Sequence, residues 1–466
     1  GDNESGKSAP YQYRVRVTRL LPDTEYGYRV TLDGQGATYA NTFRTSPDPA
    51  KWHGFKFIYY SDSETEPADN DPTKGLTTDW DAPDGVTRGE TYHATQTEAY
   101  ASNICAAVDF GAELIVMAGD LAQKGSRQCD WDEFWRHNAG PLNDPAGSIP
   151  VLASPGNHDY YAYEDGGACG LRKYLSYFEY EPNGTSVDAD QQERFHRVDY
   201  GPVTFIFLDG NNGNDADITK DTNLKISRNA EGPYRVGIGC RAPDFNPGTP
   251  QYAWLEAQLA DAQRKSAFTF IVTHQCPFSV GDHGREPGDY TDNTDFYSGR
   301  PLRVLLPLMH KYGVDGWFAG HDEMMERSVT EGTELRLDGT EAPHSFFVWD
   351  MGIAGDGLRG AKKIDNPNER YRAHVNSQEV WENGLQVEGG KHYGHLEVTI
   401  DQAEDGRWRA TFDPTYVFFS KDAQGKAVYG GVRHYADKQV RISDRCAGER
   451  PAPQPVTKTR VDPNSY

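Results

Sequence analysis

FKFIYYSDSE, residues 55–64, runs from a block of aromatic and β-branched residues straight into two carboxylates, Asp62 and Glu64. Phe, Ile and Tyr in such a run favour a strand. Downstream, the pattern repeats with helical segments between the strands. TYHATQTEAYASNICAAVDFG (91–111) has helical spacing and leads into the strand AELIVMAGD (112–120). WDEFWRHN (131–138) is helical and precedes IPVLASPGNHD (149–159), a strand ending in a polar turn. FHRVDYGPVTFIFLDG (195–210) reads as a hairpin, and QYAWLEAQLADAQRK (251–265) as a helix running into the strand FTFIVTHQ (268–275). PLRVLLPLMHKYG (301–313) is helical and leads to VDGWFAG (314–320), with further strands predicted within 345–357, 394–400, 408–419 and 427–435. Strands alternating with helices predict an α/β fold, in which chemistry collects beyond the carboxyl ends of the strands.

Composition narrows the function classes. The chain has 466 residues, more than one hydrophobic core usually organises, so a large domain with a smaller one is expected. Hydrophobic residues are 36% and aromatics 12%, which excludes a disordered chain. The 47 Lys and Arg against 70 Asp and Glu give a formal charge of −23, which opposes attraction to nucleic acid and to anionic lipid. No run approaches the ~20 apolar residues of a membrane span, and the first twenty residues carry no signal-peptide pattern. Six cysteines, Cys105, Cys129, Cys169, Cys240, Cys276 and Cys446, lack CxxC spacing. Their even number predicts up to three disulfides in an exported chain, secreted or periplasmic, with a reduced set of buried thiols as the alternative.

Residues 11–49 alternate apolar and polar side chains around turn signals at Pro22-Asp23 and Asp33-Gly34. They resemble the second half of a fibronectin type III module, although such a sandwich needs roughly 100 residues. The expected organisation is a partial β-sandwich over 1–48, a catalytic domain over 54–440 and a Pro-rich tail over 446–466.

Five predicted strand ends carry metal-type ligands in order: Asp62, Asp120, Asn157 with His158, His274, and His321 with Glu323. Taken singly, each has an ordinary reading as a turn, a cap or a buried polar side chain. As an ordered series (YYSDSE, MAGDLAQ, SPGNHD, IVTHQ, FAGHDE) they resemble the metallophosphoesterase family, and within it the purple acid phosphatase-like branch. That resemblance implies a four-layer sandwich of two mixed sheets flanked by helices. It also implies two divalent cations about 3.5–4 Å apart, with a hydroxide between them as nucleophile. Asp120 would bridge the two cations. One would take Asp120, Asn157, His274 and His321; the other Asp62, Asp120 and Glu323, with Glu64 as a further candidate. His158 would stabilise charge on the phosphoryl group or protonate the leaving group. His283, in VGDHGREPGDY, would be a general acid, against an ordinary reading as part of a surface loop.

The sequence departs from the family pattern at three points. Gln123 stands where purple acid phosphatases carry a tyrosinate ligand, so no purple chromophore is expected. Glu323 stands where the last block has a second His, and Glu64 where related proteins often have His. An oxygen-rich set suits Mn²⁺, Mg²⁺ or Ca²⁺, while the imidazole-bearing set fits Zn²⁺, Mn²⁺ or Fe²⁺. Four carboxylates would neutralise two divalent cations, so phosphodiesters or neutral esters would compete better here than in the family at large. The predicted partner is a small-molecule phosphate ester, hydrolysed as a monoester by an acid phosphatase-like enzyme. The alternatives are a phosphodiesterase or phosphotriesterase on the same fold, and a metal-dependent binding protein without catalysis. GIAGDGLRG (352–360) reads only as a tight loop.

Overall fold

The computed structural model describes residues 13–32, 34, 38–48, 51–65, 92–162, 170–185, 191–214, 216–223, 226, 235–236, 242–287, 298–356, 358–373 and 376–445. Parts of the stretches at 11–49, 280–290 and 352–360, and all of 446–466, lie outside these residues.

Strand alternation builds two large sheets stacked face to face. In the first, the spatial order is Asn376–Glu382, Leu385–Lys391, Trp408–Lys421, Gly394–Gln402, Phe55–Tyr60, Leu114–Met117 and Val151–Ala153. Ala427–His434 and Gln439–Ser443 also pair with the long strand Trp408–Lys421. The second runs Glu369–Arg372, Met325–Leu335, Glu341–Met351, Gly316–Gly320, Phe268–Gln275, Val203–Phe207 and His196–Tyr200. Both are mixed, and each keeps a parallel block: Phe55–Tyr60, Leu114–Met117 and Val151–Ala153 in one, and Val203–Phe207, Phe268–Gln275, Gly316–Gly320 and Glu341–Met351 in the other.

Period-two placement sends alternate side chains to opposite faces, and the parallel strands are covered on both, which is why Leu114–Met117, Val151–Ala153 and Phe55–Tyr60 are almost wholly apolar. Phe55, Phe57 and Tyr59 join Phe205, Phe270, Phe318, Trp349 and Phe412 in the core between the sheets. Their neighbours Ile58 and Tyr60 face the other way, onto Tyr100 and Ile104 of the helix Gln96–Phe110 and Trp131 and Phe134 of the helix Gln128–Asn138. On the second sheet Ile206, Ile271 and Trp317 pack outward against Leu255 and Leu259 of the helix Pro250–Lys265 and Met309 of the helix Leu306–Lys311. The layers are therefore helix, sheet, sheet, helix: the four-layer α/β sandwich expected from the sequence. The first helix starts on a full capping box between Thr95 and Glu98 and stops at Gly111 in the left-handed region (φ 75°), which fixes its length.

The small N-terminal β-module has two antiparallel strands among the described residues, Glu25–Thr31 and Thr38–Arg44. It is moored by hydrogen bonds: the Tyr28 hydroxyl donates to the Gly147 carbonyl at 2.7 Å, and the Tyr39 hydroxyl to Asp144 Oδ2 at 2.5 Å. The expectation of up to three disulfides is corrected for half of the cysteines. Cys105, Cys129 and Cys276 are free thiols, and each finds a local acceptor instead: Asn143 Oδ1, Asp130 Oδ1 and the Phe278 carbonyl. Cys169, Cys240 and Cys446 lie outside the described residues.

Phe270 sits where the two sheets lock, its ring 5.0 Å from Phe318, 5.8 Å from Phe205 and 5.8 Å from Phe412. Phe270→Ala is expected to cost about 3–5 kcal/mol. In urea unfolding the midpoint should fall with an unchanged slope.

Candidate metal centre

All nine residues singled out from the sequence fall among the described residues, and the turns after the parallel strands bring them to one place. The local backbone is unusual there. Asp62 (φ 60°), Asp120 (φ 49°), His321 (φ 78°) and Glu323 (φ 48°) all occupy the left-handed region, which non-glycine residues seldom adopt. Each follows a strand end, and the sharp reversal turns its side chain back over the sheet edge. The preceding glycines have a steric reason: a Cβ on Gly156 would collide with the Asp120 carboxylate, and one on Gly320 with that of Asp62.

On the imidazole-bearing side, His274 closes the strand Phe268–Gln275. Its Nδ1 donates to the Ala118 carbonyl at 2.8 Å, which leaves Nε2 directed at the cluster. That Nε2 lies 2.9 Å from Asp120 Oδ2, 3.0 Å from Asn157 Oδ1 and 3.1 Å from His321 Nδ1. Four ligand-type atoms thus converge on one point. Asn157 is oriented by its amide nitrogen, which donates to the Tyr161 hydroxyl at 3.1 Å. Asp120 Oδ1 accepts the His158 backbone N–H at 2.7 Å.

The other side is built of carboxylates. Asp62 Oδ2 accepts the His321 backbone N–H at 2.9 Å, while Asp62 Oδ1 and Glu64 Oε2 are buried with no hydrogen-bond partner. Asp62, Glu64 and Glu323 are 1%, 1% and 4% exposed, and one oxygen of each lies within 4.8 Å of the others. The same separation limit links Asp120 to His274 and His321, and also to Glu64 and His158. Orphaned carboxylate oxygens at this depth are costly unless a cation meets them, so the donor set fits divalent metal ions.

Electrostatics say the same. Burial, against the pull of His274, pushes the Asp62 carboxyl up to about 6. Burial and then the charges of Asp120 and Asp356 push Glu64 well above its ordinary range. Burial alone would raise Asp120, but His274 and His158 outweigh it and hold that carboxyl below the usual range. Burial opposes the charged form of His274, yet Asp120 lifts the imidazole to about 9. Burial, with His283 and His274 adding repulsion, drives His321 well below its ordinary value. Without metal, this cluster therefore balances its charge by taking up protons.

His158 keeps its ring within reach of Gln123, with Nδ1 2.9 Å from the carbonyl and 2.5 Å from Oε1. Gln123 thus fixes the orientation of His158. Burial, against the pull of Asp120, lowers the His158 pKa and so favours the neutral ring. His283 belongs to the cluster as well: its ring stacks on His321 at 3.7 Å between centroids, and its backbone N–H donates to Asp322 Oδ1 at 3.0 Å. Asp322 therefore supports the His283 turn while its neighbours His321 and Glu323 face the cluster. Cys276 donates to the Phe278 carbonyl and is no part of the ligand set.

Sequence reasoning missed two residues. Tyr161 is four residues beyond Asn157, a spacing that could have flagged it. Arg359 lies in GIAGDGLRG, yet its Nη2 is 2.6 Å from Glu323 Oε1 and its Nη1 2.8 Å from His283 Nε2. No local pattern announces that contact.

Comparison with known proteins bears on the family and the fold. The family model for calcineurin-like phosphoesterases matches residues 93–323. An uncharacterised protein of Mycobacterium tuberculosis is 25% identical over 341 residues, covering 70% of this chain and 53% of its own length. A probable inactive purple acid phosphatase of Arabidopsis thaliana is 23% identical over 228 residues, 46% of this chain and 29% of that protein. The chain thus spans about half or less of the length of these relatives. Among solved structures, a purple acid phosphatase from yellow lupin seeds superimposes with a TM-score of 0.54 at 17% identity, covering 89% of this chain and 60% of the lupin chain. The ordered series, the four-layer fold and the family match over residues 93–323 agree in relating the chain to the calcineurin-like phosphoesterase family.

Proposed function

We propose that the chain hydrolyses phosphate monoesters at a binuclear divalent-metal site, within a catalytic domain spanning about residues 54–440 of an exported protein. The observation that carries this reading is the position of Asp120, whose short carboxylate lies within reach of both an imidazole-bearing group and a carboxylate group. Asp120, Asn157, His274 and His321 hold one cation; Asp62, Glu64, Asp120 and Glu323 hold the other. Bound there, the cations would polarise the phosphoryl oxygens and activate water. Zn²⁺, Mn²⁺ or Fe²⁺ suits the first set and Mn²⁺, Mg²⁺ or Ca²⁺ the second. His158 is held through Nδ1 by Gln123, and its Nε2 would donate to phosphoryl or leaving-group oxygens when the ring carries a proton. His283, held by Asp322 through its backbone and stacked on His321, is the second proton-transfer candidate.

A second reading, metal binding without turnover, draws support from the engagement of Glu323 by Arg359. Hydrolysis of aryl phosphate mono- and diesters separates the two. Turnover of the monoester should exceed that of the diester, disappear on chelation, and fall at least 100-fold in Asn157→Ala. No turnover of either ester by metal-loaded wild type would leave the binding reading.

The chelated protein also has a pH signature. His274 has its folded pKa raised from 6.5 to about 9, so its stabilising effect is full below about 6.5 and lost as pH rises through 9. Melting of chelated protein should therefore show stability falling between pH 6.5 and 9, by on the order of 3 kcal/mol. His274→Asn should flatten that slope, and Mn²⁺ should suppress it by favouring neutral imidazole. An equal slope in His274→Asn would sink the assignment.

A further inference from the structure

Arg359 is tied to Glu323 twice. Its backbone N–H donates to the Glu323 carbonyl at 3.0 Å, and its guanidinium meets Glu323 Oε1 at 2.6 Å. The two side chains are 12% and 5% exposed, so water screens the pair weakly. The segment carrying Arg359 is itself locked to the site, because the backbone N–H groups of Gly355 and Asp356 donate to the Asp62 carbonyl at 3.0 and 3.2 Å. The guanidinium therefore cannot drift away as a surface side chain would. Glu323 is also one of the three carboxylates that could hold a cation with Asp62 and Glu64. A divalent ion entering that group would draw on the carboxylate that the guanidinium already holds, and would repel the guanidinium across a few ångströms.

We propose that Arg359 is a built-in cation of the carboxylate-rich half of the site: it competes with divalent metal for Glu323 and makes the two metal positions unequal in affinity. The imidazole-bearing position fills first, and the second fills only at higher free metal. This rests on the binuclear reading above and adds a regulatory consequence, that the loaded state follows the supply of divalent cation. Arg359 acts here through Glu323 as a positioning residue, without touching substrate.

Calorimetric binding of Mn²⁺ to the full chain, freed of metal by chelation, tests this without reference to activity. Wild type should show two classes of site differing at least tenfold in affinity, which itself needs no variant. Arg359→Met should tighten the weaker class at least tenfold and leave the tighter one within threefold. Glu323→Gln should abolish the weaker class, assigning it to this half. Arg359→Lys, which keeps the charge, should stay within threefold of wild type. Two equal classes in wild type would overturn the proposal, as would a weaker class that Arg359→Met leaves unchanged or weakens, or that Arg359→Lys tightens as much as Arg359→Met. Unequal classes that respond as expected in a chain with no phosphoesterase turnover would leave the proposal standing and the catalytic reading fallen. No Mn²⁺ binding in any form would overturn both.

Discussion

Four carboxylates, those of Asp62, Glu64, Asp120 and Glu323, are gathered within a few ångströms at less than 5% exposure. Burying so much like charge costs several kcal/mol per ion unless positive charge enters with it. The site answers this demand in three ways: the charge that His274 takes up beside Asp120, the Arg359 guanidinium beside Glu323, and a donor geometry shaped for metal ions. The rest of the architecture is a frame that holds this arrangement against its own repulsion.

The frame works because the carboxylates come from different strands of a two-sheet core. Asp62, Asp120 and Asn157 follow three parallel strands of one sheet, while His274, His321 and Glu323 follow two parallel strands of the other. Bringing them together requires the sheets to meet at their carboxyl ends, and the aromatic core of Phe57, Phe205, Phe270 and Phe318 fixes that meeting. The left-handed residues and the glycines beside them then convert strand direction into side-chain direction. Asp159 adds a cross-tie, its two oxygens accepting the backbone N–H groups of Leu121 and Gly156 at 3.2 and 2.8 Å. That bond joins the Asp120 turn to the Asn157 turn, whose separation sets whether one cation can be shared.

Much of this was legible in the sequence because the information was local. A strand reads from its own composition, and a candidate ligand from its place at the strand's end, so Asp62, Asp120, Asn157, His274, His321 and Glu323 could be picked out in chain order as candidates. What could not be read was contact between distant segments. Arg359 reaches Glu323 and His283 only through the packing of the 352–359 loop on Asp62, and nothing in GIAGDGLRG distinguishes a site arginine from a solvated one. Cysteine counting failed for a related reason, since an even number says nothing about which thiols meet. Cys105 and Cys129 lie on separate helices with their own acceptors. Of the N-terminal module, strand pairing was legible and the identity of a whole sandwich was not, because two described strands do not define one.

Arg359 also alters the charge reasoning that the sequence allowed. Four carboxylates against two divalent cations leave no net attraction for a dianionic phosphoryl group, and that balance favoured diesters or neutral esters. The guanidinium adds one positive charge that the count omitted, at a position only 12% exposed where screening is weak. If two divalent cations bound as proposed, the four carboxylates and the guanidinium would sum to one positive charge before any hydroxide, a balance that would favour the dianionic monoester. On the two-cation reading proposed above, Arg359 would therefore couple metal loading to the charge of the phosphoryl group that the site prefers.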